Sequence, residues 1–509
     1  MRGEGGKGAA ALRAALLAGL LAALGSGCSA SEEPRSARAS RVVVFPSPKG
    51  IAASPDYRLE VEGREVFCYA DWRLNTDFPP TLFKMKVSPQ AYAIFDFEGR
   101  VTVRVTLRSR TVPNLAHVKI RPLAAGIRPR VKGKTLEFEL DRPGDVTVDP
   151  LGTGLGVLHI FTNAPEKNVP RKGDPGVVYF GPGVHDIEDL ELKAGQTLYL
   201  AGGAVLRPLP KKLRKPGKQR HYTGREYQRA VGAIRAKGNN VTVRGRGVVS
   251  GERGLAAGRR FGLFSGSRMK KLRMQGVVFT RSSGWTLLVH DGRESLVDGV
   301  RVLGYFTNSD GICLHSCRDF RVRNCFIHTA DDCYEVKSRA QNVVFEKSQV
   351  WCDAGAAMGV THEIDGTVEN VTWREITVLH YTYRFNPHEG VTSRGAIFVH
   401  PAMGGTVRKL LFENITVEGT STERPLIVAY NVKKPGRGVH FFPEKPHSRI
   451  SDVVFRNIRA RNVRNPEILI AGIRFEGVVL NGKPLRPGGK RLRLKGVDAG
   501  AVSVQDRER

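Results

Sequence analysis

Three successive segments decide the fold: Gly299-Val300-Arg301-Val302, Phe320-Arg321-Val322-Arg323 and Asn342-Val343-Val344-Phe345. Their central valines, Val300, Val322 and Val344, follow one another at a step of 22 residues. Each segment is a short β-branched strand, and a polar turn and a second apolar strand come after it. A period in the low twenties is typical of a solenoid, in which no unit buries its apolar face alone and each unit stacks on its neighbours.

The same unit recurs before and after this stretch. Its further copies are Asn240-Val241-Thr242-Val243, Lys271-Leu272-Arg273-Met274, Asn370-Val371-Thr372-Trp373, Lys409-Leu410-Leu411-Phe412 and Asp452-Val453-Val454-Phe455. Leucine-rich repeats share the period, but their fixed lattice of leucines and asparagines is missing here. Strand-turn-strand units rich in Val, Ile and Phe favour a parallel β-helix. We therefore predict an all-β fold with a right-handed parallel β-helix over residues 176–485 and a basic tail over 486–509.

A different pattern precedes the solenoid. Tyr57-Arg58-Leu59-Glu60-Val61 and Val101-Thr102-Val103-Arg104-Val105-Thr106-Leu107 alternate apolar and polar residues, and turns such as Arg142-Pro143-Gly144-Asp145 separate such stretches. Alternation with period two places one face in a core and the other in water. The pattern predicts an N-terminal β-sandwich over residues 41–165.

The first 28 residues are typical of an export signal. Arg2, Lys7 and Arg13 supply a positive start, and the apolar stretch 14–24 is too short for a membrane helix. Leu24-Gly25-Ser26-Gly27-Cys28 resembles a bacterial lipoprotein cleavage site, in which Cys28 would carry the lipid. The leucine lies one place further from the cysteine than usual, so plain secretion stays open. We expect a signal peptide over 1–28, a flexible tether over 29–40, and an extracytoplasmic protein that is secreted, periplasmic or lipid-anchored at the cell envelope.

The chain is strongly basic. Lys and Arg number 80 against 49 Asp and Glu, which gives a formal charge of +31. Such a surface favours polyanions, including acidic polysaccharides, although an arginine-rich proteome would give the same balance. The sequence has no zinc-finger spacing, RNA-binding sheet motif or basic zipper, so we expect no nucleic-acid partner.

Five of the seven cysteines lie between Cys313 and Cys352. Export permits disulfides. Buried thiols stacked inside the coils are an equally good interpretation of this clustering.

Two segments carry candidate chemistry: Asn308-Ser309-Asp310-Gly311-Ile312, and the stretch 330–338 with Asp331 and Asp332. Asp332 follows Asp310 by 22 residues, so in a solenoid of that period the two lie one above the other, with Asp331 beside them. Three adjacent carboxylates repel, and at least one should have a raised pKa. Glycoside hydrolysis requires one protonated acid and one ionised partner. Capping of turn amides and calcium binding are the alternatives.

At these residues the sequence resembles polygalacturonases and their relatives, glycoside hydrolase family 28, over about residues 176–360. The resemblance also rests on Gly245-Arg246-Gly247-Val248-Val249-Ser250-Gly251 and Ser283-Gly284-Trp285-Thr286. A β-sandwich before a β-helix is similar to family 49, the dextranase and isopullulanase group, which has a similar three-aspartate site.

The resemblance implies an inverting mechanism that requires no cofactor and no metal. Asp332 would be the general acid, and Asp310 and Asp331 would hold and activate the water. Inversion predicts carboxyl groups about 6.5 to 9.5 Å apart, with room for that water. Asn308 would orient the cluster through its amide.

The sequence departs from family 28 in two places. The family's Gly-His-Gly element is replaced by Cys352-Asp353-Ala354-Gly355-Ala356, and the nearest candidates for its role are His362 and Glu363. The Arg-Ile-Lys element that grips a galacturonate carboxylate is also absent, although Arg384 lies near the expected distance. The expected substrate is therefore a polysaccharide, pectic or other, for which an anionic glycan suits the charge.

Aromatic residues near the site are candidates for stacking on sugar faces. They are Trp285, Tyr305, Trp351, Tyr381 and Tyr383. The leading hypothesis is a monomeric, exported hydrolase of O-glycosidic bonds. A β-helical polysaccharide lyase and a non-catalytic glycan-binding envelope protein are the alternatives.

Overall fold

The computed structural model describes residues 40–74, 87–109, 112–210, 232–306, 308–382, 395–401, 403–419, 426–430, 448–463, 466–469, 472–486, 492–494 and 502–505. Cys28, Tyr383 and Arg384, named above as candidate residues, lie outside these ranges. Within them, no helix is both long and apolar enough to cross a bilayer.

The N-terminal part is a sandwich of two sheets. One sheet has the order β1-β5-β11-β10-β7, with β4 also paired to β5, and the other has the order β3-β2-β6-β9-β8. Alternate residues of β6 are buried in the core between the sheets, as the period-two pattern predicts. The strands are β1 (Arg41–Val44), β2 (Tyr57–Val61), β3 (Arg64–Val66), β4 (Cys68–Leu74), β5 (Val87–Glu98), β6 (Val101–Leu107), β7 (Lys119–Arg121), β8 (Arg130–Lys132), β9 (Thr135–Leu140), β10 (Val146–Asp149) and β11 (Leu158–Asn163), and a 3-10 helix covers Leu123–Ala125.

The rest of the chain forms one continuous parallel solenoid. A single short helix, α1 (Glu252–Ala256), interrupts its described strands. The first half comprises β12 (Val177–Phe180), β13 (Gly183–Ile187), β14 (Leu190–Leu192), β15 (Thr197–Leu200), β16 (Ala204–Pro208), β17 (Ile234–Lys237), β18 (Thr242–Gly245), β19 (Val248–Ser250), β20 (Phe264–Lys270), β21 (Arg273–Gln275), β22 (Val278–Thr280), β23 (Leu287–Asp298), β24 (Arg301–Leu303), β25 (Ile312–His315), β26 (Arg318–Arg323) and β27 (Phe326–Thr329). The second half comprises β28 (Tyr334–Lys337), β29 (Gln341–Cys352), β30 (Met358–His362), β31 (Thr367–Tyr381), β32 (Ile397–Pro401), β33 (Thr406–Glu413), β34 (Thr416–Val417), β35 (Ile427–Tyr430), β36 (Arg449–Arg456), β37 (Arg459–Ala460), β38 (Glu467–Leu469), β39 (Ile473–Glu476), β40 (Val479–Leu480), β41 (Lys483–Pro484), β42 (Arg493–Leu494) and β43 (Val502–Gln505).

Each coil supplies one strand to each of three parallel ladders. Ladder A runs through β12, β15, β18, β21, β26, β33, β36, β39 and β43, ladder B through β13, β16, β19, β22, β24, β27, β34, β37 and β40, and ladder C through β14, β17, β20, β25, β28, β30, β32, β35, β38 and β42. The long strands β23, β29 and β31 pass a corner and belong to two ladders each. The predicted fold class, an all-β right-handed parallel β-helix preceded by a β-sandwich, is confirmed. Ladder pairing continues past residue 485 into the segment predicted as a tail, through β42 and β43.

The coil length is not uniform. Between β25 and β28 in ladder C the step is 22 residues, since Ile312 pairs with Tyr334. In ladder A, however, Val322 pairs with Val297 and Phe345. The alignment of Val300, Val322 and Val344 is therefore wrong, because the turns between strands have unequal lengths in successive coils.

The sandwich covers the outer face of ladder B. An apolar cluster joins the two parts; it contains Tyr69, Tyr92, Ile94, Val157 and Phe161 from the sandwich and Val205, Val248, Val278, Leu303, Phe326, Trp351 and Leu379 from the solenoid. Because apolar side chains of both parts are buried in one cluster, the sandwich is packed against ladder B from β16 to β31.

Buried ion pairs cross the same interface in both directions. Solenoid arginines reach sandwich aspartates in Arg246–Asp96 at 2.8 Å, Arg281–Asp71 at 3.0 Å and Arg301–Asp145 at 2.8 Å. Sandwich arginines reach solenoid carboxylates in Arg73–Asp353 at 2.5 Å and Arg121–Glu418 at 3.2 Å. A buried charge is costly unless it is paired, so these pairs select one relative placement of the two parts.

Replacing Arg301 by Met should destabilise the protein by about 3 to 5 kcal/mol, because Asp145 would remain buried without its cation. The matched control is Arg104→Met, whose partner Glu137 lies on an exposed surface, with side chains 55% and 35% exposed. That change should cost no more than about 1 kcal/mol. The measurement is the free energy of unfolding from urea denaturation. Equal losses in the two variants would show that the buried pair does not fix the interface.

Candidate active site

The turns that lead from ladder B to ladder C carry the predicted aspartates. Asp310 precedes β25, and Asp331 and Asp332 precede β28, whose register with β25 places residues 22 apart opposite each other. One carboxylate oxygen of each aspartate lies within 4.8 Å of one from the other two. The structure therefore brings the three predicted residues together.

The expected separation of the carboxyl groups, about 6.5 to 9.5 Å, is not found. The nearest oxygens of the three carboxylates lie within 4.8 Å of one another. The reason is the stacking itself, because adjacent strands of a sheet lie about 4.8 Å apart and Asp310 stands one coil below Asp332.

Main-chain amides hold two of the carboxylates. Asp331 accepts one hydrogen bond from the N–H of Asn308 and one from the N–H of Asp332, both at 3.0 Å. Asp332 accepts one from the N–H of Ala356 at 2.8 Å. Asn308 thus orients the cluster through its main chain, in a left-handed conformation with φ of 63°, whereas its side-chain oxygen faces Arg260. A Cβ at Gly355 would lie 2.6 Å from the carbonyl carbon of Asp331, so only glycine lets this turn approach the cluster.

Asp310 lies in a different environment. It is 3% exposed, and its Oδ1 has no hydrogen-bond partner within the described part of the chain. Burial, and then the charges of Asp331, Glu335 and Asp332, raise its pKa well above the ordinary value, against a lowering effect of Lys337. The surroundings of Asp310 therefore favour its protonated form.

The floor of the site is the outer face of ladder C. Glu335 is fully buried there and accepts hydrogen bonds from the Cys313 thiol at 2.6 Å and the Thr361 hydroxyl at 2.5 Å. Burial raises the pKa of Glu335 to about 7. Glu335 alternates along β28 with Tyr334 and Val336, which belong to the solenoid core. Sequence reasoning missed Glu335 because an outward position on a strand is normally wet.

A buried ammonium stands beside Glu335. Lys337 lies 3.1 Å from Glu335, 2.6 Å from Glu363 and 4.7 Å from the ring centre of Trp285. Burial lowers the pKa of Lys337, but Glu335, Glu363, Asp310 and Asp332 together raise it well above the ordinary value. The predicted residues Glu363 and Trp285 thus both contact Lys337, a cation that sequence reasoning missed.

The remaining candidates fall in three groups. Trp285 is only 4% exposed and supports Lys337, and Trp351 and Tyr381 are fully buried, so none of these three offers a face to a sugar. Tyr305 is partly exposed. His362 packs against the rings of Phe398 and His400, with centroids 5.8 and 5.2 Å away.

An exposed arginine missed by sequence reasoning lies at the edge of the site. The guanidinium of Arg260 is 3.3 Å from the side-chain oxygen of Asn308 and 4.9 Å from the ring centre of Phe306. Stacking on an aromatic ring and a hydrogen bond fix the position of this cation beside the residue that holds Asp331.

The cysteines near the site are thiols. All six cysteines within the described ranges are buried and unpaired: Cys68, Cys313, Cys317, Cys325, Cys333 and Cys352. Of the two alternatives left open by the sequence, the structure contains the stacked thiols.

The solenoid that carries the carboxylate cluster also matches a known family in sequence. Residues 265–502 match the model of glycosyl hydrolases family 28. The predicted resemblance to this family is thereby confirmed.

Two relatives are both named probable exopolygalacturonase B. The one from Emericella nidulans is 22% identical over 264 residues, which are 46% of this chain and 56% of the relative. The one from Aspergillus fumigatus is 24% identical over 234 residues, which are 40% of this chain and 48% of the relative. The chain thus spans about half the length of the curated relatives that it matches.

One solved structure shares the fold over almost the whole chain. Dex49A from Penicillium minioluteum superposes with a TM-score of 0.59 at 12% identity, over 91% of this chain and 96% of that one. The resemblance to family 49 in the order of the two parts is confirmed at the level of the fold.

Glu335 makes a prediction about stability. The folded protein keeps a proton on Glu335 up to about pH 7, whereas the ordinary pKa is 4.5. Protonated Glu335 therefore makes its full contribution to the stability of the folded state below pH 4.5, and this contribution is lost as pH rises through about 7. Between pH 4.5 and 8, Glu335→Gln should gain about 3 kcal/mol relative to the wild type. Urea denaturation at several pH values measures the difference. Glu65→Gln, at a side chain 64% exposed, is the control. The prediction would be contradicted if the difference in unfolding free energy between the wild type and Glu335→Gln stayed constant with pH.

Proposed function

We propose that the protein is an exported glycoside hydrolase that cleaves O-glycosidic bonds of a polysaccharide with the cluster Asp310, Asp331 and Asp332. The observation that carries the proposal is the group of three carboxylates from two adjacent coils, of which one, Asp310, is buried and has a raised pKa. Glycoside hydrolysis needs a proton donor next to an ionised carboxylate. The family 28 match over residues 265–502 includes all three aspartates.

In the proposed inverting mechanism, Asp332 protonates the leaving oxygen while Asp310 and Asp331 hold the attacking water. The hydrogen bonds support this division, because both oxygens of Asp331 accept main-chain N–H groups, which favours its ionised form. Among the described residues, Oδ1 of Asp310 has no hydrogen-bond partner and is open to accept from a water. A water about 2.8 Å from each of two oxygens bridges the gap of up to 4.8 Å between them.

The position of the proton is part of the proposal. Three interacting carboxylates titrate as one group, and the surroundings of Asp310 favour the proton there in the free protein. For Asp332 to act as the acid, the proton has to move to it within the cluster when substrate binds. The alternative assignment makes Asp310 itself the acid.

A retaining mechanism is the second candidate. Carboxyl groups about 5 to 5.5 Å apart are typical of retaining enzymes, in which one carboxylate attacks the sugar carbon directly. The oxygen separations within 4.8 Å favour this candidate, whereas the resemblance favours inversion. Proton NMR of the first-formed product distinguishes the two, because inversion and retention release opposite anomers.

The substrate is proposed to be an anionic polysaccharide outside the cytoplasm. Arg260 beside Asn308 supplies a cation at the edge of the cluster, and the net charge of +31 attracts polyanions. Export through the segment 1–28, with lipid attachment at Cys28 or without it, and a monomeric state complete the proposal.

The first test is a panel of pectic, α-glucan and sulfated galactan substrates with Asp310→Asn, Asp331→Asn and Asp332→Asn as variants. Each variant should lose activity by a factor of about 100 to 10,000. On an aryl glycoside whose leaving group needs no proton, only Asp332→Asn should recover, because only the general acid becomes dispensable. Recovery by Asp310→Asn instead would make Asp310 the acid. An unsaturated, ultraviolet-absorbing product would show a lyase.

Arg260→Ala should lower kcat/KM on a uronic acid polymer about tenfold and leave a neutral glycan unaffected, because one charge-assisted contact is lost. Arg259→Ala, which removes the neighbouring exposed arginine, is the matched control. A loss of equal size on charged and neutral glycans would contradict the assignment of Arg260 to the substrate anion.

A further inference from the structure

A second cleft lies on the edge that carries the catalytic turns. It measures about 550 Å³ and is bounded by β16, by the segments that follow β19, β22 and β24, and by β4 of the sandwich. Its lining includes Trp72, Arg207, Glu252, Arg253, Arg281 and Tyr305. Neither the aspartate cluster nor the ladder C floor shares any of these residues.

Aromatic side chains from the two parts of the protein face this cleft. Trp72 stands at the end of β4 in the sandwich and is 40% exposed. Tyr305 follows β24 in the solenoid and is partly exposed. A large apolar ring left in water next to a concave polar surface is typical of a ligand site, and the ring can cover the C–H face of a sugar.

The polar lining is a chain of ion pairs with balanced charge. Glu252 accepts from Arg207 at 2.9 Å and from Arg281 at 2.7 Å. Arg207 is also paired with Asp186 at 2.6 Å, and Arg281 with Asp71 at 3.0 Å. Because both guanidiniums are already neutralised, the cleft suits hydroxyl groups, which donate to carboxylates and accept from guanidiniums, better than a free anion.

The cleft continues the groove of the catalytic site. Tyr305 lies on the same turn as Asp310, Arg281 one coil before it, Glu252 two and Arg207 three. At the usual strand spacing these coils lie about 5 to 14 Å from that of Asp310, which a few sugar residues of an extended chain can span.

We propose that this cleft is a distal subsite that binds a neutral pyranose ring of the polysaccharide, stacked on Trp72 and hydrogen-bonded by Glu252 and Arg281. The inference rests on the proposed hydrolase function. It also gives the sandwich a role in substrate selection, since Trp72 is its contribution to the groove.

Trp72→Ala in the full chain tests the proposal, with Trp72→Phe to restore a ring and Val131→Ala, at another exposed apolar residue of the sandwich, as the control. The substrates are a long oligosaccharide from whichever glycan is cleaved and an aryl glycoside that occupies only the cleavage point. Trp72→Ala should raise KM for the long substrate about tenfold. It should leave kcat/KM for the aryl glycoside unchanged, and Trp72→Phe should recover most of the loss. An unchanged KM, or an equal loss on both substrates, overturns the subsite.

Failure of the hydrolase proposal gives a separate result. If the wild type cleaves no glycan, affinity electrophoresis in gels that contain each polysaccharide of the panel replaces the kinetic measurement. Retardation of the wild type that Trp72→Ala abolishes, and Trp72→Phe restores, supports the site even though the chemistry is wrong. Equal migration of the wild type and Trp72→Ala in every gel overturns it.

Discussion

The register of ladder C is the constraint on which the site depends. Parallel hydrogen bonding places Ile312 opposite Tyr334, so residues one coil apart are held about one strand spacing from each other. That spacing puts Asp310 and Asp332 closer together than two free carboxylates would stay. Burial and mutual repulsion then raise the pKa of Asp310, so that the backbone arrangement itself prepares a proton donor. A shift of one residue in this register would move the turn that carries Asp331 and Asp332 along the turn that carries Asp310, so the three carboxylates would no longer meet.

Several acidic groups buried together need compensation, and the structure supplies it from three directions. Lys337 provides a cation within the floor. Main-chain N–H groups hold Asp331 and Asp332. The third source is the sandwich: the turn that donates to Asp332 begins at Asp353, which Arg73 pairs with across the interface. Burial alone would raise the pKa of Asp353, but Arg73 and His328 lower it to about 2. The sandwich therefore anchors a turn of the site through an aspartate where family 28 has its Gly-His-Gly element.

The sequence was sufficient for the features that depend on local period. The β-helix, the sandwich and the meeting of the three aspartates all follow from the alternation of residues and the step of 22 between Asp310 and Asp332. The same step of 22 residues predicted the wrong alignment for Val300 and Val344. Turn length differs between coils, and the pattern of residues within a strand does not indicate how long the next turn is. Glu335 was missed because a charged outward residue of a strand normally faces water, and Arg260 because its contact with Asn308 joins residues on different coils.

The donor set favours proton chemistry over the calcium alternative. Calcium takes six to eight oxygen ligands and favours ionised carboxylates. Here both oxygens of Asp331 and one of Asp332 already accept N–H groups, and the surroundings of Asp310 favour its protonated form. The ammonium of Lys337 adds a positive charge close enough to lower the pKa of Asp310. A second cation would be repelled by it, whereas a neutral water or sugar hydroxyl would not. The cluster combines several carboxylates with the ammonium of Lys337 and a group, Asp310, that favours its protonated form. This combination makes it a poor cation site. It is also what an acid and a base acting on a glycosidic bond require.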